Sequence, residues 1–259
     1  MPTFDVPGAE LAVVLSDEGG HPVVQLHGLT SSRARDRVLN LDLGRGLSGT
    51  RLLRYDARGH GRSTGRKVPE DYRWQSLADD LLRLLDHWFP GEPVHGVGPS
   101  MGTGTLLHAA SREPDRFTGL TLMVPPTAWD TRTGQAANYR VAAALIEADG
   151  VEAFLATRRG ATPPPATIGA PETVPDVANA LLPSLFRGAS LSDLPAPGAV
   201  ARIDVATTIL AWVDDPGHPL STAESLAALL PQATLTVART PGDVETWPNI
   251  LSQDVARRG

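Results

Sequence analysis

Cysteine is absent from the 259 residues. That excludes disulfides and thiolate metal sites, and it fits a reducing compartment. Strong charge of one sign is missing too. The net charge is −6, so no broad attraction to nucleic acid or acidic membranes is expected. No apolar run approaches the ~18 residues of a membrane-spanning helix. The N-terminus, Met1-Pro-Thr-Phe-Asp-Val-Pro, lacks a basic region followed by an apolar core, so no signal peptide is read there. No histidines are spaced as H-x-x-x-H and no other histidine–carboxylate cluster stands out, so neither a metal nor another cofactor is expected. These absences predict a cytoplasmic protein with a small-molecule substrate and no nucleic-acid or membrane partner. They leave a homodimer open. Hydrophobic residues make up 41% and charged residues 20%, an ordinary balance for one α/β domain of this length.

What is present centres on Val94-His95-Gly96-Val97-Gly98-Pro99-Ser100-Met101-Gly102-Thr103-Gly104. A short apolar run leads into Gly98-x-Ser100-x-Gly102, and an alanine-rich run with helical spacing follows. Strand, sharp turn and helix are the setting of a nucleophile elbow. Such a turn strains its central residue, so its neighbours must be nearly without side chains, as Gly98 and Gly102 are. The Ser100 hydroxyl is then lifted above the sheet edge. Backbone N–H groups at the helix start, Met101 first, face the position of a developing oxyanion. Ser100 reads as a nucleophile.

In chain order, Leu11–Leu15 and Pro22–Leu26 read as strands around the turn cluster Asp17-Glu18-Gly19-Gly20. The second strand ends in His27-Gly28-Leu29. Gly28 lets the backbone approach a ligand and leaves the Leu29 N–H as an oxyanion donor, while His27 reads as a loop-shaping residue. Leu52–Tyr55 is a strand running into Asp56-Ala57-Arg58-Gly59-His60-Gly61-Arg62-Ser63, a loop pinned by its own hydrogen bonds and ion pairs. Helical spacing of Trp74, Leu77, Leu81, Leu82, Leu85 and Trp88 spans Asp71–Trp88 and stops at Pro90-Gly91. Leu120–Val124, Thr207–Val213 and Thr234–Ala238 are further strands. The strand–helix alternation predicts a parallel, doubly wound sheet. Ligands on such sheets bind at the carboxyl ends of strands, where His27, Asp56 and Ser100 fall.

Five stretches carry a resemblance: His27-Gly28, Tyr55-Asp56-x-Arg58-Gly59-His60-Gly61-x-Ser63, Tyr72 through Leu85, Gly98-Pro99-Ser100-Met101-Gly102, and Ile209 through Pro219. Together they resemble an α/β-hydrolase of the small-ester and lactone-hydrolysing kind, similar in its first half to the enol-lactone hydrolases. The resemblance covers residues 10–125 and 200–257. It implies the α/β-hydrolase fold: a mostly parallel, eight-stranded, doubly wound sheet with a serine nucleophile and a helical cap after the sixth strand. The cap fits the stretch from Pro126 to Pro197, where the strand–helix rhythm stops. Helices are expected there at Thr133–Glu147, Val151–Arg158 and Pro175–Leu182, the last stopped by Pro183. A flexible or polyproline-like link, Ala161–Pro171, lies before the last of them. The expected division is a core of residues 1–125 and 200–259 with a cap of residues 126–199 that excludes water and shapes the pocket.

A serine hydroxyl needs a base, because its own pKa leaves almost no alkoxide at neutral pH. The usual chain order is Ser, then Asp or Glu, then His. The family's Asp-x-x-x-Pro spacing puts the acid at Asp215, with Asp214 capping the turn. The loop after the last strand should carry the histidine, but Asp243 stands in its place and no histidine follows His218. Three readings remain. In the first, His218 replaces the base from the neighbouring loop, oriented by Asp215 or by Asp243. In the second, triad chemistry is lost and the pocket binds a ligand, or serves a lyase or isomerase acting on a natural product. In the third, His27 or His60 is the base. Asp130 is the reserve acid, and His95 reads as a satisfied core histidine. The expected function is hydrolysis of a small carboxylic ester or lactone through an acyl-enzyme on Ser100. His218 is the base, Asp215 the orienting carboxylate, and the Leu29 and Met101 N–H groups the oxyanion hole.

Overall fold

A computed structural model describes residues 2–257. Eight strands among them form one sheet: β1 (Thr3–Val6), β2 (Ala9–Asp17), β3 (His21–Gln25), β4 (Thr50–Tyr55), β5 (Val94–Pro99), β6 (Phe117–Met123), β7 (Thr207–Trp212) and β8 (Ala233–Ala238). Their order is β1-β2-β4-β3-β5-β6-β7-β8. The β1–β2 and β2–β4 pairings are antiparallel, and every pairing from β3–β4 to β7–β8 is parallel. The strands β5 and β7 are buried along their whole length, as strands covered on both faces must be.

The helices are α1 (Arg33–Val38), α2 (Trp74–Trp88), α3 (Met101–Arg112), α4 (Arg132–Arg158), α5 (Leu182–Ser190), α6 (Pro197–Val200), α7 (Leu220–Leu229), α8 (Pro241–Glu245) and α9 (Trp247–Ala256). Alternate strand residues feed two separate cores, the consequence of a two-residue side-chain period. Val24, Leu53, Ile209 and Ala211 pack with Leu77 and Leu81 of α2 and Leu106 and Leu107 of α3. Val23, Leu52, Leu210 and Trp212 face the other way, against Trp247 and Leu251 of α9. The sheet is therefore doubly wound.

Residues 126–199 add no strand to this sheet. The two expected helices of this stretch are present as α4, which is interrupted at Gly150 (φ 84°, ψ 173°). The helix expected at Pro175–Leu182 is not there. Its backbone groups bond to the core loops instead: the Asp176 N–H donates to the Thr30 carbonyl at 2.9 Å, and Val177 bridges to His60. Pro183 opens α5 rather than closing a helix, because a first-turn residue needs no N–H partner. Within the proline-rich link Ala166 is buried against the Trp212–Trp247 cluster, while both ends of the link are exposed. Sequence periodicity did not reveal β1 or the six-residue α1, both too short to show a pattern. The helix α1 is started by Ser32, whose side chain accepts the Arg35 N–H. No helix among the described residues is long and apolar enough to cross a membrane.

Within α1, Asp36 is 2% exposed, and one carboxylate oxygen has only the Ser31 hydroxyl, at 2.5 Å. Its other oxygen has no partner among the described residues. Burial pushes this carboxyl up to about 7. Because the folded value lies above the unfolded one, the stability it contributes is full below the unfolded value and is lost as pH rises through about 7. The buried His27 and His60 are held below their ordinary value and act in the opposite sense, so the difference between variant and wild type is the informative quantity. We expect Asp36→Asn to gain about 1–3 kcal/mol on wild type between pH 4 and pH 8, read by urea unfolding. A pH-independent difference would contradict this.

Candidate active site

The turn between β5 and α3 holds Ser100 at φ 53° and ψ −108°. A non-glycine residue there costs on the order of 1–3 kcal/mol, so its surroundings must over-determine it. They do. The Ser100 N–H donates to the Met123 carbonyl at 2.9 Å, and the Thr103 hydroxyl donates to the Gly98 carbonyl at 2.9 Å. The two flanking glycines sit in tight surroundings. A Cβ on Gly98 would lie 3.2 Å from the Gly102 Cα, and one on Gly102 would lie 3.2 Å from the His27 carbonyl oxygen. The serine is left half-buried at the carboxyl edge of the sheet.

His218 lies in the loop after β7, and its Nε2 is 2.9 Å from Ser100 Oγ. Its Nδ1 is 2.8 Å from Asp215 Oδ2. A carboxylate only accepts, so the proton sits on Nδ1, and Nε2 is free to accept the serine hydroxyl. Burial works to raise the Asp215 carboxyl. The hydrogen bond and charge of His218, the Trp212 indole N–H and the Gly217 N–H outweigh it and hold the carboxyl down to about 2. The Gly217 N–H and the Trp212 Nε1–H each donate at 2.8 Å, to Oδ1 and Oδ2 respectively. Trp212 is the residue that the sequence reading missed. Its only signal there was an aromatic strand end three positions before an aspartate.

Opposite the histidine, the β3 loop runs close to the serine: a Cβ on Gly28 would lie 3.8 Å from Ser100 Cβ. The N–H groups of Leu29 and Met101 have no acceptor among the described residues. The loop is fixed by two buried imidazoles. His27 donates from Nδ1 to the Gly28 carbonyl at 2.8 Å and accepts the Ala57 N–H at Nε2 at 2.9 Å. His60 donates from Nδ1 to the Arg58 carbonyl at 2.9 Å and accepts the Thr30 N–H at 3.2 Å. Burial holds His27 below its ordinary value and takes His60 down to about 3. Both rings are neutral and fully committed to the backbone, which leaves neither free to act as a base.

Asp243 lies elsewhere. It is exposed and caps α8, accepting the N–H groups of Arg239 at 2.8 Å and Thr240 at 2.9 Å. Those donors hold its carboxyl below the usual range. It bonds neither Ser100 nor His218 among the described residues. Asp130, the reserve acid, is exposed in a short turn before α4. His95 is fully buried and bonded to the Thr121 hydroxyl at 2.8 Å, a core histidine.

Residues 21–144 match a family model described as the alpha/beta hydrolase fold. A hydrolase from Pseudomonas aeruginosa PA01 superposes with a TM-score of 0.77 at 25% identity, covering 99% of this chain and 97% of that one. The chain has the α/β-hydrolase fold. The enol-lactonase from Burkholderia xenovorans LB400 shares this hydrolase fold, with a TM-score of 0.71 at 20% identity over 98% and 100% of the two chains. In sequence, 233 residues are 25% identical to the putative carbamate hydrolase RutD of Caulobacter sp. (strain K31), covering 83% of this chain and 85% of that protein. A monoglyceride lipase homolog of Monkeypox virus is 34% identical over 79 residues, a match that spans 30% of this chain and 29% of the viral protein.

The geometry separates Asp243 from the serine. We expect Asp243→Ala to lose a little Tm with its helix cap while Ser100 reacts with a fluorophosphonate at the wild-type rate, followed by intact mass. A slowed reaction would mean that Asp243 acts on the serine.

Proposed function

We propose that the protein hydrolyses a small carboxylic ester or lactone through an acyl-enzyme on Ser100. One observation carries this reading: His218 Nε2 lies 2.9 Å from Ser100 Oγ while Nδ1 lies 2.8 Å from Asp215. As Oγ attacks the substrate carbonyl, His218 takes its proton, and the Asp215 carboxylate balances the imidazolium. The negative charge passes to the carbonyl oxygen, where the Leu29 and Met101 N–H groups receive it. Each donor is worth ~3 kcal/mol of transition-state stabilisation. The intermediate collapses to the acyl-serine as His218 protonates the leaving alkoxide oxygen. In a lactone that oxygen stays attached to the acyl chain. Water then attacks the acyl carbon and gives its proton to His218, which returns it to Ser100 as the acid departs.

The names of the similar proteins, an enol-lactonase and a carbamate hydrolase among them, support an acyl-transfer reaction. In this reading residues 126–199 form the cap. Tyr139 and Phe186 stack at 5.8 Å in an apolar cluster that also takes in Leu29, so the loop after β3 packs against the cap. The non-hydrolytic alternative drew on the missing histidine after β8. The contact of His218 with Ser100 supports the hydrolytic reading instead.

We expect Ser100→Ala and His218→Ala each to lose roughly 10³-fold or more in kcat on p-nitrophenyl butyrate, and Asp215→Asn to lose roughly 10²–10⁴-fold. Wild-type turnover in Ser100→Ala would end the reading. Because Asp215 is held down to about 2, its protonation takes no part in any loss of rate above pH 4.

A further inference from the structure

The Asp215 carboxylate has three donors, and two of them belong to its own turn. The Gly217 N–H and the His218 ring lie two and three residues further on, and the His218 N–H also closes back on the Asp215 carbonyl at 3.1 Å. Bonds inside one turn fix its parts relative to each other. They do not fix the turn relative to Ser100, which comes from a different strand. The turn leaves β7 through Asp214, a non-glycine residue at φ 59°, so its exit backbone is itself strained.

Besides the His218–Ser100 contact itself, two hydrogen bonds among the described residues connect the turn to the frame. One is the Thr127 N–H to the Gly217 carbonyl, at 3.2 Å, which holds backbone. The other is the Trp212 Nε1–H to Asp215 Oδ2 at 2.8 Å. It meets the same oxygen that receives the His218 N–H. Trp212 is the last residue of β7, in register with Ala238 of β8, and is 7% exposed. Its ring stacks on Trp247 of α9, with centroids 6.0 Å apart and planes at 17°, and meets the His218 ring edge-on at 6.2 Å. The two stacked indoles are not equivalent. Trp247 Nε1 has no acceptor among the described residues, whereas Trp212 Nε1 is spent on the carboxylate.

We propose that Trp212 is a positioning residue: its indole N–H ties Asp215 to the sheet and thereby holds His218 against Ser100. This rests on the hydrolase reading above. A carboxylate oxygen shared by two N–H donors lies where both point, so the indole sets the direction from which Asp215 meets the imidazole. Without it the carboxylate keeps only partners that move with the turn.

The test uses Trp212→Phe, which keeps an aromatic ring and removes the N–H, with Trp247→Phe as the packing control. Ser100 modification by a fluorophosphonate gives the rate, kcat and KM on p-nitrophenyl butyrate separate positioning from binding, and the downfield proton resonance of the His218 Nδ1–H reports the bond itself. We expect Trp212→Phe to slow modification and lower kcat by about 10-fold or more, leave KM unchanged, and lose or broaden the downfield resonance. Trp247→Phe lowers Tm and leaves rate and resonance as in wild type. Wild-type rate and resonance in Trp212→Phe would overturn the proposal. So would equal losses in both variants, which would assign the effect to ring packing. Should Trp212→Phe fold poorly, benzothienylalanine at position 212 keeps the bicyclic shape without the N–H and reads the same way. A wild-type protein that is not modified at Ser100 would sink the hydrolase reading, and this proposal with it. Normal modification of Trp212→Phe sinks the proposal alone.

Discussion

A serine at the end of a parallel strand can be activated only by a base that reaches the same sheet edge. In the proposed mechanism that base, His218, sits on the same turn as Asp215, the carboxylate that would orient it. Ser100 on β5 and the Asp215–His218 turn on β7 are two strands apart in the sheet, with β6 between them. The contact of 2.9 Å between Ser100 and His218 therefore depends on the sheet order, on the length of the turn and on whatever holds the turn down. The left-handed backbone at Ser100, the paired glycines and the tie to Met123 of β6 all meet that one requirement from the serine's side.

Placing acid and histidine together frees the loop after β8. Asp243 is spent on starting α8, and the same region forms a packing surface for the proline-rich link, whose Ala166 is buried beside Trp212 and Trp247. Trp212 is thus packed in the core through its ring and bonded to Asp215 through its N–H. The position of Asp215 and the packing of the β7–α9 face therefore meet at one side chain, Trp212. The β3 loop shows the same economy. Its own His27 and the His60 of the β4 loop are neutral, buried and fully bonded, and residues 173–177 fasten both loops: Ser32 Oγ donates to Asp176 at 2.5 Å, and the Gly61 N–H donates to the Asp176 carbonyl at 2.7 Å. The β3 loop and the helical insertion are thereby tied together.

Strands with continuous apolar character, the Trp74–Trp88 spacing and the Gly98-x-Ser100-x-Gly102 turn were legible because each is a local pattern with one physical solution. The helix at Pro175–Leu182 was misread because nothing local reveals that the Asp176 and Val177 backbone groups find partners in the β3 and β4 loops, far away in sequence. Asp243 could be seen to occupy an unusual position. Its capping role was the local signal left unread: Thr240-Pro-Gly-Asp243 is a capping box, in which Asp243 accepts the N–H groups of Arg239 and Thr240. A histidine three residues after an aspartate is a common loop feature. Its reach to Ser100 is a distance across two strands, which spacing along one strand cannot express.

The most direct test is pre-steady-state. Stopped-flow release of p-nitrophenolate from p-nitrophenyl acetate, compared between wild type and His218→Ala, isolates the step in which Ser100 is acylated. We expect a burst equal to the concentration of enzyme in wild type and none in His218→Ala. A full burst at the wild-type rate in His218→Ala would show that Ser100 is activated without the β7 histidine, contradicting the central claim.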